Sequence, residues 1–131
     1  MSYAIRTAIG PTKANTKKNE RLTTETVVEL TTPTGEIKVL RCLLDTGTTR
    51  SIVLKDFVSL SQLEQQRKAT TWQTMSGSLK TDKIAHLNFK LPELSTNKQI
   101  TWHCHVDESS NRKRVPYDII LGVDFLSELK F

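Results

Sequence analysis

The chain has 131 residues, of which 37% are hydrophobic, 25% charged and 6% aromatic, enough for one domain with a thin core rather than two domains. No apolar run approaches the roughly 20 residues of a membrane helix, no secretory pattern is present, and Cys42 and Cys104 are too few for a disulfide framework, so a reduced, intracellular protein is expected. The net charge of +5 is uneven: residues 1–21 hold Arg6, Lys13, Lys17, Lys18 and Arg21 against Glu20, which leaves +4 there and +1 in the other 110.

Residues 1–21 are read as a flexible basic leader, since Gly10-Pro11-Thr12-Lys13-Ala14-Asn15 has neither helical nor strand periodicity. Such a tail could meet RNA or DNA phosphates weakly. Only Tyr3 interleaves an aromatic among its charges, so a solvated leader is the simpler expectation. Residues 22–131 are expected to form the folded domain.

Within that domain, residues 23–30 alternate and are rich in Thr and Val, which predicts a strand. Thr32-Pro33-Thr34-Gly35 is a turn signal, and 36–44 reads as the second strand of a hairpin. Asp45-Thr46-Gly47-Thr48-Thr49 is a polar loop, followed by the short apolar strand Ser51-Ile52-Val53-Leu54. Over 55–68, Phe57, Leu60 and Leu63 among polar residues predict a short helix. Stretches 70–75 and 79–91 flank Ser76-Gly77-Ser78 and predict a second hairpin with a mobile tip. A turn over 92–98 leads to a strand at 100–106, a polar loop at 107–116 and an apolar strand at 117–121 closed by Gly122. Residues 123–131, apolar at 125, 126 and 129, predict a terminal helix with Asp124 as its cap. The fold class is therefore all-β, mainly strands with short helices.

Two short motifs invite a chemical reading. His103-Cys104-His105 lies in a predicted strand, where the histidines share one face and the cysteine the other, so three ligands cannot converge from it. No second cluster completes a zinc site, and no metal or other cofactor is expected. Asn111-Arg112-Lys113-Arg114 reads as a solvated basic loop. More telling is Leu43-Leu44-Asp45-Thr46-Gly47, which sets a carboxylate directly after an apolar strand, where it has to be hydrogen-bonded or shared. Thr46 and Thr48 can donate hydroxyl hydrogen bonds, and Gly47 permits a tight turn.

In that context the segment from Leu43 to Val53 resembles the active-site segment of retropepsin-like aspartic proteases: two apolar residues, Asp-Thr-Gly, a small residue, then an apolar strand. Ile119-Ile120-Leu121-Gly122 resembles that family's second signature, and the hairpin carrying Met75-Ser76-Gly77-Ser78 sits where the family keeps its flap. Among relatives the chain looks most similar to proteases of Ty3/Gypsy-type LTR retrotransposon polyproteins, which often carry an Asp after the second Gly, as Asp124 does here. The resemblance implies a closed β-barrel half-domain with a flap hairpin and a C-terminal helix. It implies Asp45 as the catalytic carboxylate, supported by Thr46, Gly47 and Thr48. It implies flap contacts to substrate from Met75, Ser76 and Gly77, and the strand of Ile120 and Leu121, with Gly122, beneath the catalytic loop.

Peptide hydrolysis of this kind needs two carboxylates sharing a proton, and the chain holds a single Asp-Thr-Gly. Asp82, Asp107, Asp118 and Asp124 lack the Thr/Ser-Gly that would follow a catalytic Asp. A homodimer would supply the second acid, with Thr46 implied to hydrogen-bond across the two-fold axis. The expected substrate is an extended peptide or a Gag-Pol-like polyprotein, in the cytoplasm or within virus-like particles. A dimerisation or peptide-binding module with little proteolysis is the alternative. Thr49 and Val123 stand where many retroviral relatives carry an ion pair near the dimer contact, and no further strand follows the terminal helix. A weak, concentration-dependent dimer is therefore expected.

Overall fold

The computed structural model describes residues 21–74, 77–109 and 116–129. Among these, the elements run β1 (Thr23–Thr31), β2 (Ile37–Asp45), β3 (Ile52–Leu54), β4 (Leu63–Thr74), β5 (Gly77–Leu91), β6 (Ser95–Asp107), β7 (Ile119–Leu121) and α1 (Val123–Leu126). β1 and β2 form the expected hairpin, in register from Thr23 opposite Asp45 to Thr31 opposite Ile37. Their turn is closed by the Thr32 carbonyl, which accepts from Gly35 N at 2.9 Å, and by Thr32 N donating to the Glu36 carbonyl at 2.8 Å. Gly35 sits at φ 94°, a left-handed conformation open to glycine and strained for side chains.

Neighbouring strands pair in the order β1-β2-β7-β3-β6-β5, and β5 returns to β1 through Glu29–Lys90, Leu30–Phe89 and Thr31–Asn88. Six strands thus close a barrel, and β4 hangs on β5 outside the ring as a hairpin arm. The all-β closed barrel with a short C-terminal helix expected from the sequence is the architecture observed. Closure removes the open sheet edges that a six-strand layer would otherwise present to other chains.

Two parallel pairings lie at the heart of the ring: β2 with β7, and β3 with β6. Parallel strands buried on both faces read as continuous apolar runs. That accounts for Ile52-Val53-Leu54 and Ile119-Ile120-Leu121, which are buried throughout. The barrel interior is filled by Val28, Leu30, Leu40, Cys42, Leu87, Phe89, Cys104, Val106, Ile119, Leu121 and Phe125 among others. A second cluster, of Leu43, Ile52, Leu54, Trp72 and Ile120, lies on the other side of the same central strands. Arg41 and Asp118 fasten the start of β7 to β2: Asp118 accepts from Arg41 N at 2.8 Å, Nε at 3.2 Å and Nη2 at 2.8 Å.

Several sequence expectations need correction. The helix predicted over 55–68 is two single 3₁₀ turns, Lys55–Phe57 and Leu60–Gln62, after which β4 begins at Leu63. The three-residue spacing of Phe57, Leu60 and Leu63 suits 3₁₀ turns as well as a helix, and pairing with β5 draws the rest of the segment into a strand. β6 starts at Ser95, so the turn predicted over 92–98 is confined to 92–94. The terminal helix is one turn, Val123–Leu126, with Gly122 at its cap position and no side-chain cap. Asp124 is not its cap. Its carboxylate reaches instead to Ser51, accepting from Ser51 N at 3.0 Å and Oγ at 2.9 Å.

Candidate active site

Asp45 is the last residue of β2 and is wholly buried. A carboxylate taken out of water needs hydrogen-bond donors at both oxygens, and the following loop supplies the first two. Gly47 N donates to Oδ1 at 2.8 Å, and Thr48 Oγ1 donates to Oδ2 at 3.0 Å. Thr48 N also donates to the Asp45 carbonyl at 3.2 Å, so 45–48 is a tight turn folded around the acid. Small polar residues at 46–48 are what this turn requires, which is why the strand breaks here.

The loop rests on the crossing between β7 and α1. Val123 N donates to the Thr48 carbonyl at 2.7 Å, and Asp124 N to the Thr49 carbonyl at 3.2 Å. Gly122 N donates to Ser51 Oγ at 3.1 Å, and His105 N to the Ser51 carbonyl at 2.9 Å. A Cβ on Gly122 would come within 2.4 Å of the Thr48 carbonyl oxygen and 3.0 Å of that of Arg50. Backbone approach of this closeness admits glycine alone. Ile120 and Leu121 pair with β2 at Leu43 and Leu44, directly ahead of Asp45. Asp45, Thr46, Gly47, Thr48, Ile120, Leu121 and Gly122 are therefore brought into one place.

The remaining two donors to Asp45 come from an unexpected residue. Arg21 Nε donates to Oδ1 at 2.9 Å and Arg21 Nη2 pairs with Oδ2, a fork-shaped contact of the kind that suits guanidinium and carboxylate. Leu22 prolongs β1 past the end of β2: Thr46 N donates to its carbonyl at 2.9 Å, and Leu22 N donates to Thr46 Oγ1 at 2.8 Å. Thr46 Oγ1, the group that the family resemblance places across a two-fold axis, is here held by its own chain. Gly47 leaves room for the Arg21 stem, since a Cβ there would lie 2.8 Å from Arg21 Cγ.

Sequence reasoning placed Arg21 in the leader and missed this contact. The signal was present in the hairpin register: with Thr23 opposite Asp45, continuing the pairing sets Leu22 beside Thr46 and Arg21 beside Gly47. Ser51, fully buried beneath the loop, was likewise missed as a support.

Of the predicted flap residues, Gly77 is the first residue of β5, paired with Thr74 rather than free at the tip. Met75 and Ser76 lie outside the described residues, as do Asn111, Arg112, Lys113 and Arg114. Trp72 is buried, and its Nε1 donates to Thr81 Oγ1 at 3.0 Å. Through Leu43 and Ile120 it packs on β2 and β7, the strands beside the loop at 45–49. In β6, His103 is exposed and lies against Trp102, while His105 is buried with Nδ1 at 3.3 Å from Thr81 Oγ1. Burial, with Arg50 nearby, lowers the His105 pKa below its usual value. Cys42 and Cys104 are buried free thiols whose pKa values desolvation pushes up, so they act as core side chains.

Two large apolar side chains flank the loop in the open: Leu22 is 64% exposed and Val123 is 41% exposed. Among the described residues, no helix is long and apolar enough to cross a membrane. Compared with known proteins, the chain matches no family model and no curated protein.

Proposed function

We propose that this chain is one half of an aspartic endopeptidase, active as a homodimer in which each copy contributes one Asp45. The observation that carries this reading is the buried Asp45 carboxylate, oriented by Gly47 N and Thr48 Oγ1 on a loop that Gly122 lets settle against the β7 crossing. A surface turn would not need a carboxylate this buried or a glycine contact this close.

In the proposed dimer the two Asp45 carboxyls share one proton, because like charges about 3 Å apart cannot both ionise. The ionised member takes a proton from a water whose oxygen attacks the peptide carbonyl carbon. The protonated member donates to the carbonyl oxygen, giving a neutral tetrahedral diol. Collapse of that diol breaks the C–N bond, with a proton delivered to the leaving nitrogen. Substrate would lie extended beneath the β4–β5 arm and make strand-like main-chain hydrogen bonds. Met75, Ser76 and Gly77 are the proposed contacts on that arm.

The exposed Leu22 and Val123 beside the loop support self-association there. The proposed substrate is a retrotransposon-type Gag-Pol-like polyprotein, and the proposed setting is the cytoplasm or a virus-like particle. A peptide-binding or dimerisation module of the same fold is the second reading, favoured by the way Arg21 occupies Asp45 in the single chain.

The test is cleavage of a mixed peptide library by concentrated protein at mildly acidic pH. Cleavage that disappears in Asp45→Asn and is blocked by a statine-type inhibitor is the expected result. A sample shown to be dimeric by sedimentation that cuts nothing would favour the module.

A further inference from the structure

An ionised carboxylate offers about four acceptor positions, two on each oxygen. In the single chain all four of Asp45 are taken: Gly47 N and Arg21 Nε on Oδ1, Thr48 Oγ1 and Arg21 Nη2 on Oδ2. The two donors from the loop belong to the turn itself and can persist in any state of the site. The two from Arg21 fill the positions that a second carboxyl and a reacting water would need. Leu22, meanwhile, engages both the amide and the hydroxyl of Thr46. We propose that Arg21–Leu22 is a built-in strap that holds the lone chain inactive, competing with a second copy of the chain for Asp45 and Thr46. This rests on the protease reading and adds its regulation: pairing of two chains and release of the carboxylate are one event.

The geometry makes release local. Arg21 and Leu22 continue β1 beyond its last β2 partner, Thr23 opposite Asp45. The Arg21 side chain is 34% exposed while the carboxylate is wholly buried. The guanidinium can therefore swing into water without disturbing the barrel. Asp45 cannot follow it, and keeps its two loop donors until a second acid arrives with a proton to share. The strap thus favours a monomer at low concentration and yields to mass action as concentration rises.

The experiment compares full-length wild type, Arg21→Ala and Arg21→Gln at mildly acidic pH, by sedimentation and by peptide cleavage across a concentration series. Arg21→Ala removes both charge-assisted hydrogen bonds from the competing monomer and is expected to dimerise at least about ten- to a hundred-fold more tightly. Cleavage should begin at correspondingly lower protein concentration. Arg21→Gln retains one neutral donor, keeps the buried acid partnered if Arg21→Ala folds poorly, and should fall between. In an Asp45→Asn background the Arg21 substitutions should change the dimer constant much less, because the amide leaves Arg21 one neutral acceptor in place of a carboxylate. Tighter pairing without cleavage in any variant would leave the strap standing and overturn the protease reading. Cleavage that is the same in wild type and Arg21→Ala, with unchanged dimer constants, would overturn the strap and leave the protease.

Discussion

Asp45 shows how a single residue's environment is assembled from distant pieces of chain: its own turn, the strap at Arg21, and the glycine at 122 that lets the turn settle. Two other buried residues, His105 and Asp107, have shifted pKa values that couple the fold's stability to pH. His105 packs against the edge of Trp72 at 5.4 Å between ring centres and faces Thr81. Burial, and after it Arg50, lower its pKa; Asp124 works the other way, and His103 adds the smallest lowering. A depressed folded-state pKa means stability that is present above the ordinary 6.5 and lost as pH falls through the folded value. Asp107 runs in the opposite sense. Desolvation raises its pKa, so its contribution is complete below the ordinary 3.8 and lost as pH rises through the folded value. From pH 7 toward pH 5 the two therefore pull the urea midpoint in opposite directions, and His105→Gln should remove the downward pull, so that its midpoint falls less, or rises more, than that of the wild type. An unchanged slope in His105→Gln would show that some other group carries the acid limb.

Among the elements, the β4–β5 arm differs from everything else. Each barrel strand has two neighbours within the ring, and β5 bonds β4 as well, whereas β4 is bonded to β5 alone among the described residues. Its register slips between Gln65 and Thr70, a bulge that bends the arm. What ties it back is Thr81 Oγ1 against His105 Nδ1 of β6 at 3.3 Å, together with the packing of Trp72 with Leu43, Ile52, Leu54 and Ile120. Loss of that ring should cost about 3–5 kcal/mol if the arm stays in place, or less if it lifts away. Hydrogen exchange on Trp72→Ala is expected to show rapid exchange over 70–81 with β2 and β7 still protected. Uniform loss of protection would mean that arm and barrel unfold as one unit. An arm fastened to the ring by a few side chains, Trp72 the largest of them and Leu79 beside it, would suit the opening and closing that the proposed protease needs.

For the molecule as a whole, barrel closure leaves a face where the buried Asp45 carboxylate and exposed apolar side chains coincide: the loop at 45–49, with Leu22 and Val123 beside it. The proposed dimer would form there. Thr49 and Val123 bring no charges to that contact, so pairing would draw on apolar burial and on the shared acid rather than on an ion pair. Val123→Glu should weaken self-association at least about tenfold while leaving the monomer's unfolding free energy within about 0.5 kcal/mol. Sedimentation and urea melts on the same samples check both halves of that statement, and an unaltered dimer constant would place the pairing face elsewhere.

Local chemistry wrote the hairpin at 23–45, the apolar runs at 52–54 and 119–121, and the Asp-Thr-Gly turn plainly enough to be read from the chain, because alternation, turn residues and buried parallel strands each leave a short-range pattern. The segment at 55–68 defeated the same reasoning, since its three-residue spacing fits a helix and a 3₁₀ turn alike and pairing with β5 made the choice. Asp124 looked like a cap, yet Ser51, 73 residues away, claims it. Arg21 looked like one more solvated cation in a basic leader until the end of β1 carried it alongside Gly47 and onto Asp45. Contacts of that kind depend on which strands lie side by side, and strand neighbourhood is settled by burial over the whole barrel rather than by any stretch of sequence.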